Sequence, residues 1–208
     1  MYLPAHFREE HVPVLHELIR TRPLAALVTF SEDGLSANHI PLLVNPEPAP
    51  FGTLVGHVAR SNQMWRDADV PALAIFTGPE HYISPSWYAS KLEHGKVVPT
   101  WNYIAVHAHG VLRVHDDREW LRGLVTRLTE THEAQFERPW NVADAPAEYI
   151  DGLLKGIVGI EIQIERLEGK WKMGQNRSAA DRETAAAGLR TTGSAAADEV
   201  AKIMTQNE

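Results

Sequence analysis

The chain contains no cysteine. That excludes disulfides, thiol nucleophiles, iron–sulfur clusters and cysteine-ligated zinc. Basic charge is in deficit: 20 Lys and Arg stand against 27 Asp and Glu, a net charge of −7 at pH 7. The surface therefore has no bulk attraction for polyphosphate, and direct nucleic-acid binding is not expected. No apolar run approaches a membrane span, and the opening Met1-Tyr2-Leu3-Pro4-Ala5-His6-Phe7-Arg8 lacks the basic-then-apolar order of a signal peptide. The expectation is a cytoplasmic protein without membrane contact. There is no GxGxxG, no GxxxxGK[ST] and no internal repeat, so a Rossmann or P-loop nucleotide site is not expected. What is present is an ordinary globular composition: 208 residues, 44% hydrophobic and 23% charged, enough to bury a sizeable core.

Hydrophobic periodicity sets the elements. Val12, Leu15, Leu18 and Ile19 make an amphipathic helix over residues 11–20, ended by Pro23. Leu24 to Phe30 and Leu35 to Val44 read as a hairpin closed by Glu32-Asp33-Gly34. Thr53 to Val58 is a strand, Ser61 is placed to cap a short helix to about Ala68, and Ala72 to Thr77 is a strand that Gly78-Pro79 turns away. A long β-rich run follows from Val97 to Val114. Asp116 and Asp117 open a helix carrying Trp120, Leu121, Leu124, Val125 and Leu128, and a second helix spans Ala147 to Leu154. Ile157 to Leu167 alternates as a strand. After Ser178 the chain reads as an Ala-rich helix, a Gly193-Ser194 break and a weaker terminal helix with few apolar anchors, expected to be dispensable for cofactor binding. Consecutive hairpins without βαβ alternation predict a mainly β fold with α, an antiparallel barrel with helices outside.

Several segments can carry chemistry. Gly56-His57-Val58-Ala59-Arg60-Ser61-Asn62 joins a strand to a helix start, where free amides and the arginine fork suit a phosphate; an ordinary capped helix with a solvated arginine would read the same way. Tyr82-Ile83-Ser84-Pro85-Ser86-Trp87-Tyr88 and Val98-Pro99-Thr100-Trp101-Asn102-Tyr103 place flat aromatic faces among polar groups, which suits a planar heterocycle or a loop covering the barrel. Lys91 can reach a phosphate or a neighbouring subunit. His107 and His109 share one face of a strand at the spacing of a metal pair, but a metal needs a third ligand whose proximity a sequence does not show, and no metal is expected. From Arg166 to Arg190 there are six basic residues against three acidic ones. Within that stretch Lys170, Lys172, Gln175 and Arg177 form a polar turn better suited to an anionic cofactor than to nucleic acid.

Taken in order, these words resemble the PaiB family of FMN-binding, split-barrel proteins described as negative transcriptional regulators, over nearly the whole chain. The words are Met1 to Phe7, Ala37-Asn38-His39-Ile40-Pro41, Gly56 to Asn62, Tyr82 to Tyr88, Val98 to Tyr103 and Gln175-Asn176-Arg177. More remotely, the opening hairpin is similar to that of the pyridoxamine phosphate oxidase superfamily. The resemblance implies FMN as cofactor and a split β-barrel with peripheral helices over residues 1–177, followed by a helical extension over 178–208. It implies that Asn38, His39, Ile40 and Pro41 run along the flavin by their backbone, and that Arg60, Ser61 and Asn62 hold its phosphate. Tyr82, Ile83 and Ser84 would approach from a facing strand, with Lys170, Lys172, Gln175 and Arg177 near the polar end. His57, Lys91 and Trp101 complete the cofactor candidates. The chain lacks the arginine and lysine that bracket the oxidase's flavin-contacting strand, which argues against oxidase chemistry while leaving flavin binding.

Flavin at a subunit interface implies a homodimer, which would also cover Trp87, Tyr88 and Trp101. The function implied is negative transcriptional regulation, without a visible reader of DNA. The alternative is an FMN-dependent oxidoreductase acting on a small molecule or on NAD(P)H, with His57, Tyr82 or Tyr103 supplying protons.

Overall fold

The computed structural model describes residues 1–32, 34–66 and 69–206. Its strands are β1 (Arg8–Glu9), β2 (Leu24–Ser31), β3 (Gly34–Pro41), β4 (Leu43–Asn45), β5 (Thr53–Ala59), β6 (Pro71–Ile83), β7 (Thr100–His115) and β8 (Ile157–Lys172). The α-helices are α1 (Val12–Thr21), α2 (Ser90–His94), α3 (Arg118–Glu133), α4 (Ala147–Leu154), α5 (Ala179–Arg190) and α6 (Ala195–Gln206). The strand order is β3-β2-β6-β7-β8-β5-β4, with β1 beside β8. The order runs from one edge to another without closing, as in a split barrel, and the expected mainly β class with helices is the one observed. The chain divides into two compact units. A hairpin unit comprises residues 16–76 and 107–167, and a terminal unit comprises residues 1–15, 77–106 and 168–208.

In the hairpin unit, β2 buries Ala25, Leu27 and Thr29, every second residue, and pairs with β3 from Leu24 against Pro41 to Ser31 against Gly34. Gly34 turns the chain at φ 99°, a conformation glycine adopts without cost; Asp33, assigned to the same turn, lies outside the described residues. The strand expected from Leu35 to Val44 is divided in two. Pro41 has no N–H to continue the ladder, Leu42 is buried and donates its N–H to Pro23 O at 2.9 Å, and residues 43–45 pair with β5 instead. The helix expected from Ser61 is one 3-10 turn, Gln63–Arg66, and Asn62 rather than Ser61 caps it, its Oδ1 accepting from Met64 N at 3.0 Å. Ala68, its expected end, is outside the described residues.

The α3 start follows the sequence: Asp117 accepts from Trp120 N at 2.8 Å, and Leu121 and Leu124 are buried. Gly159 on β8 admits the Trp120 indole, since a Cβ there would sit 2.1 Å from it, and the indole stacks on His115 at 4.2 Å. β8 buries the side chains of Val158, Ile160, Ile162 and Ile164, every second residue, with Gly159 between them covered by that indole.

Two expected turns are strand. β6 continues through Gly78-Pro79, because proline's fixed φ suits extended chain. β8 continues through Gly169 to Lys172, where Arg8 and Glu9 pair with Lys170 and Gly169. In the terminal unit, α5 carries residues that the sequence leaves unassigned. Ala89 cannot cap α2, so Asp181 of α5 does it, accepting from Ser90 N at 2.9 Å and Ser90 Oγ at 2.8 Å. Burial alone would raise the Asp181 pKa, but the Ser90 bonds, with Arg177 and His94, hold it below the ordinary carboxylate value of 3.8. A carboxyl with a lowered folded pKa stabilises above its unfolded pKa and loses that contribution as pH falls through the folded one. Asp181→Ala is therefore expected to cost about 1.5–3 kcal/mol at neutral pH, the worth of a charge-assisted bond. Urea titrations at pH 7 and in acid should show the difference shrinking in acid.

Candidate functional site

The sequence-derived candidates fall into two groups, one in each unit. In the terminal unit, the end of β8 is fixed by the N-terminal ammonium of Met1, 3.0 Å from Glu168, and by the β1 pairing. This holds two ammonium groups around one phenol ring. Lys170, only 7% exposed, donates to Tyr2 O at 3.0 Å and lies 5.1 Å from the Tyr103 ring centre. Lys172 donates to Thr100 Oγ1 at 2.6 Å and Trp101 O at 2.7 Å, and lies 5.9 Å from the same ring. Partial burial lowers the Lys172 pKa; Tyr103 acts against this, while Lys170 and Arg177 add repulsion. Arg177 covers the Tyr88 ring at 4.9 Å.

Gln175 does not point a free amide at a ligand. Its Nε2 donates to Trp171 O at 2.6 Å and its Oε1 accepts from Met173 N at 2.8 Å, so the carboxamide closes the turn that carries Arg177. Tyr82 and Trp101 meet edge to face at 6.3 Å and are 41% and 50% exposed. Ile83 is fully buried, and Ser84 accepts from Ser86 N at 3.2 Å. Lys91 reaches Ser86 Oγ at 3.2 Å on the surface. Trp87 and Tyr88 are covered within the chain rather than left for a second copy. Tyr88 is buried, and Gly188 of α5 lies so close that a Cβ there would be 2.3 Å from the Trp87 ring.

In the hairpin unit, Asn62 Nδ2 donates to Asn38 Oδ1 at 2.8 Å, joining two of the candidates. His39 and Pro41 are exposed on the edge strand β3, and Ile40 is buried. His57 is lodged with its Nδ1 sealed from solvent and without a hydrogen-bond partner among the described residues, and burial lowers its pKa. Arg60 is engaged on every side. Its two terminal nitrogens pair with the Asp116 carboxylate, its Nε donates to Lys155 O at 2.9 Å, and Nη2 also reaches Ile157 O at 3.0 Å. The bond from Arg60 is the main cause holding the Asp116 pKa below its usual value. Ser61 contributes its carbonyl, which accepts from Gln63 Nε2 at 3.1 Å. A phosphate at Arg60 would have to displace Asp116, and a single 3-10 turn offers no helix N-terminus beside it.

The sequence reading missed Asp116 as the partner of Arg60, because Asp116 and Asp117 read alike as a helix opening and the pair is 56 residues apart. It also missed Thr100 as a ligand of Lys172. His107 and His109 have ring centres 6.3 Å apart, and His109 Nδ1 accepts from Arg166 at 3.0 Å, which occupies that nitrogen.

A family model described as "Putative FMN-binding domain" matches residues 1–166. Protease synthase and sporulation protein PAI 2 of Bacillus subtilis (strain 168) is 31% identical over 183 residues, covering 87% of this chain and 85% of its own length. An uncharacterized protein of Emericella nidulans is 33% identical over 243 residues, 99% of this chain and 97% of its own. Among solved structures, the FAD and heme binding protein from Mycobacterium smegmatis matches with a TM-score of 0.56 at 19% identity, over 87% of this chain and 80% of that one, a likeness of fold.

Proposed function

Because the chain belongs to the PaiB family of FMN-binding domains, we propose that its terminal unit holds FMN, with the phosphate at Lys172 and Arg177 and the ring on the exposed Tyr82 and Trp101 faces. The observation that carries this is the cluster of cations around Tyr103 and Tyr88, in which Lys170 and Arg177 both disfavour the charge on Lys172. Holding like charges together is unfavourable unless an anion neutralises them, and a phosphate of about −1.5 to −2 does so. The residues present fit the group: the cations suit the phosphate, and two half-exposed aromatic rings suit a planar heterocycle. Bound there, the isoalloxazine would supply any electron transfer, while the protein orients it. The family match ends at residue 166, ahead of these cations, so their role needs its own test.

The same reading includes a homodimer and a regulatory output. The dimer is supported by apolar side chains on the β2–β3 hairpin, Phe30 at 61% and Leu35 at 78% exposure, beside the free edge of β3. With net charge −7, regulation would proceed through a partner or the flavin state rather than through binding of the DNA backbone. No helix among the described residues is long and apolar enough to cross a membrane.

Purified protein is expected to be yellow, releasing one FMN per chain on denaturation; colourless protein that fails to take up added FMN would end this reading. Arg60→Ala should leave FMN affinity within about twofold, under roughly 0.4 kcal/mol, while lowering stability through loss of its carbonyl and Asp116 bonds. A tenfold or greater loss specific to FMN over riboflavin would instead put the phosphate at Arg60. Bleaching of the bound flavin by NADH or NADPH would favour the oxidoreductase over the regulator.

A further inference from the structure

The hairpin unit contains a hollow that the flavin reading does not use. α3, the chain around Trp140, α4 and the start of β8 border a half-open hollow of about 390 Å³, lined by Val125, Val142, Ile150, Leu154 and Ile157 with Trp140 at the side. A second hollow of about 340 Å³ shares His57, Thr129 and Trp140 with it and adds Pro41, His132 and Glu133. The first is an apolar slot; the second is also largely apolar, with Pro41, Leu128 and Trp140, but adds the polar side chains of His132 and Glu133, and the two meet at His57, Thr129 and Trp140. Leu153, 54% exposed, stands at the edge of the apolar slot. An apolar cavity of this size with a few convergent polar groups is the usual form of a small-molecule site.

We propose that this double hollow binds a neutral aromatic carboxamide, its ring in the apolar slot and its amide where the two hollows meet. The chemistry follows from the polar groups present. Burial keeps the His57 ring neutral, so it carries one N–H. Nδ1 is sealed and has no acceptor among the described residues. A buried N–H without an acceptor is rarer and costlier than an unpaired lone pair, so the proton resides on Nε2. His57 therefore offers the ligand a donor, which a carbonyl oxygen answers. Glu133 offers an acceptor: one carboxylate oxygen takes Trp140 N at 2.9 Å, and the group has further lone pairs for an amide N–H. Its charge disfavours an anionic ligand, while the aliphatic slot disfavours a charged ring. A carboxamide supplies acceptor and donor from one planar, uncharged group.

The lining residues all belong to the hairpin unit, so the inference goes beyond the FMN site proposed in the terminal unit. Pro41 and His57 are nevertheless among the positions that the family resemblance gives to flavin, and the test separates the two. Full-length protein carrying its flavin is titrated with benzamide, benzylamine, benzoate and toluene by calorimetry and saturation-transfer NMR. Benzamide is expected to saturate one site and to bind more tightly than the other three, with the flavin spectrum unchanged. His57→Phe should weaken benzamide about tenfold, the value of one hydrogen bond at roughly 1.4 kcal/mol, and leave toluene within about twofold. Leu153→Trp, at a tolerant exposed position, should weaken both by filling the slot, and it decides the matter if His57→Phe does not fold. Lack of saturation, tighter binding of benzylamine or benzoate, indifference to Leu153→Trp, or release of flavin by benzamide would each overturn the proposal.

Discussion

Replacing Lys172 and Arg177 together by methionine is expected to weaken FMN binding by roughly 100- to 10,000-fold and to leave riboflavin binding almost unchanged. Each charge-assisted contact to phosphate contributes about 1.5–3 kcal/mol, and two adjacent ones combine without strict additivity. Methionine keeps an unbranched apolar stem, so the cover over Tyr103 and Tyr88 persists and the fold should hold. Flavin fluorescence titrations of both ligands against both proteins separate the phosphate contribution from that of the ring. FMN affinity of the wild type should fall with added salt, and that of the double variant should not. There is also a pH signature. Lys172 is held below the ordinary lysine value of 10.5, mainly by partial burial, so it loses its charge earlier than a free lysine. FMN affinity should decline more steeply than riboflavin affinity as pH rises toward 10.5, the difference between the two ligands reporting on the phosphate contact. Affinity of the double variant within about twofold of wild type would move the phosphate away from these residues.

The second large effect is expected from truncation after Gly193, which removes α6. The sequence offers this helix few apolar anchors, but the structure buries Ala197, Val200, Ala201 and Met204 and half-buries Ile203. Met204 Sδ also accepts from Asn102 Nδ2 at 3.3 Å, a contact of a buried amide that the truncation removes. Val200 and Met204 together contribute about 3–6 kcal/mol of apolar burial, an upper bound because unfolded chains are already compact. The melting temperature should fall by on the order of 10 °C, and Ala185, Ala186 and Leu189 of α5 should become available to hydrophobic dye. Melting within a few degrees of the full chain would show that α6 rests on the unit without holding it. Flavin content of the truncated protein in the cold then reads whether Asn102, beside Trp101 on β7, depends on α6 for its position.

Local pattern made much of this legible. The alternation of Ile160, Ile162 and Ile164 marks β8, the spacing of Leu15, Leu18 and Ile19 marks α1, and Asp117 three residues before Trp120 marks the start of α3. These signals work because strand and helix periods are properties of neighbouring residues. Gly78-Pro79 and Gly169-Lys170 misled because glycine and proline permit a turn without requiring one. Whether the chain turns there depends on the strand waiting beside it, such as β1 against Lys170.

The family words and the cation-rich stretch around Lys170 to Arg177 were also readable, since a residue's charge and chemistry are fixed by its identity. The partner of each charged group was not. Arg60 suits a phosphate by its sequence, but Asp116 lies against it; Gln175 suits a ligand, but its amide closes its own turn; and nothing in the sequence pairs Asp181 with Ser90. The sequence by itself determined the β-rich class, the helices with clear caps and stripes, and the inventory of groups able to hold a flavin. Only the tertiary structure decided which of those groups are consumed by the fold and which are left for a ligand, because pairing depends on folded geometry, whether the partner is two residues away, as Met173 is from Gln175, or 56, as Asp116 is from Arg60.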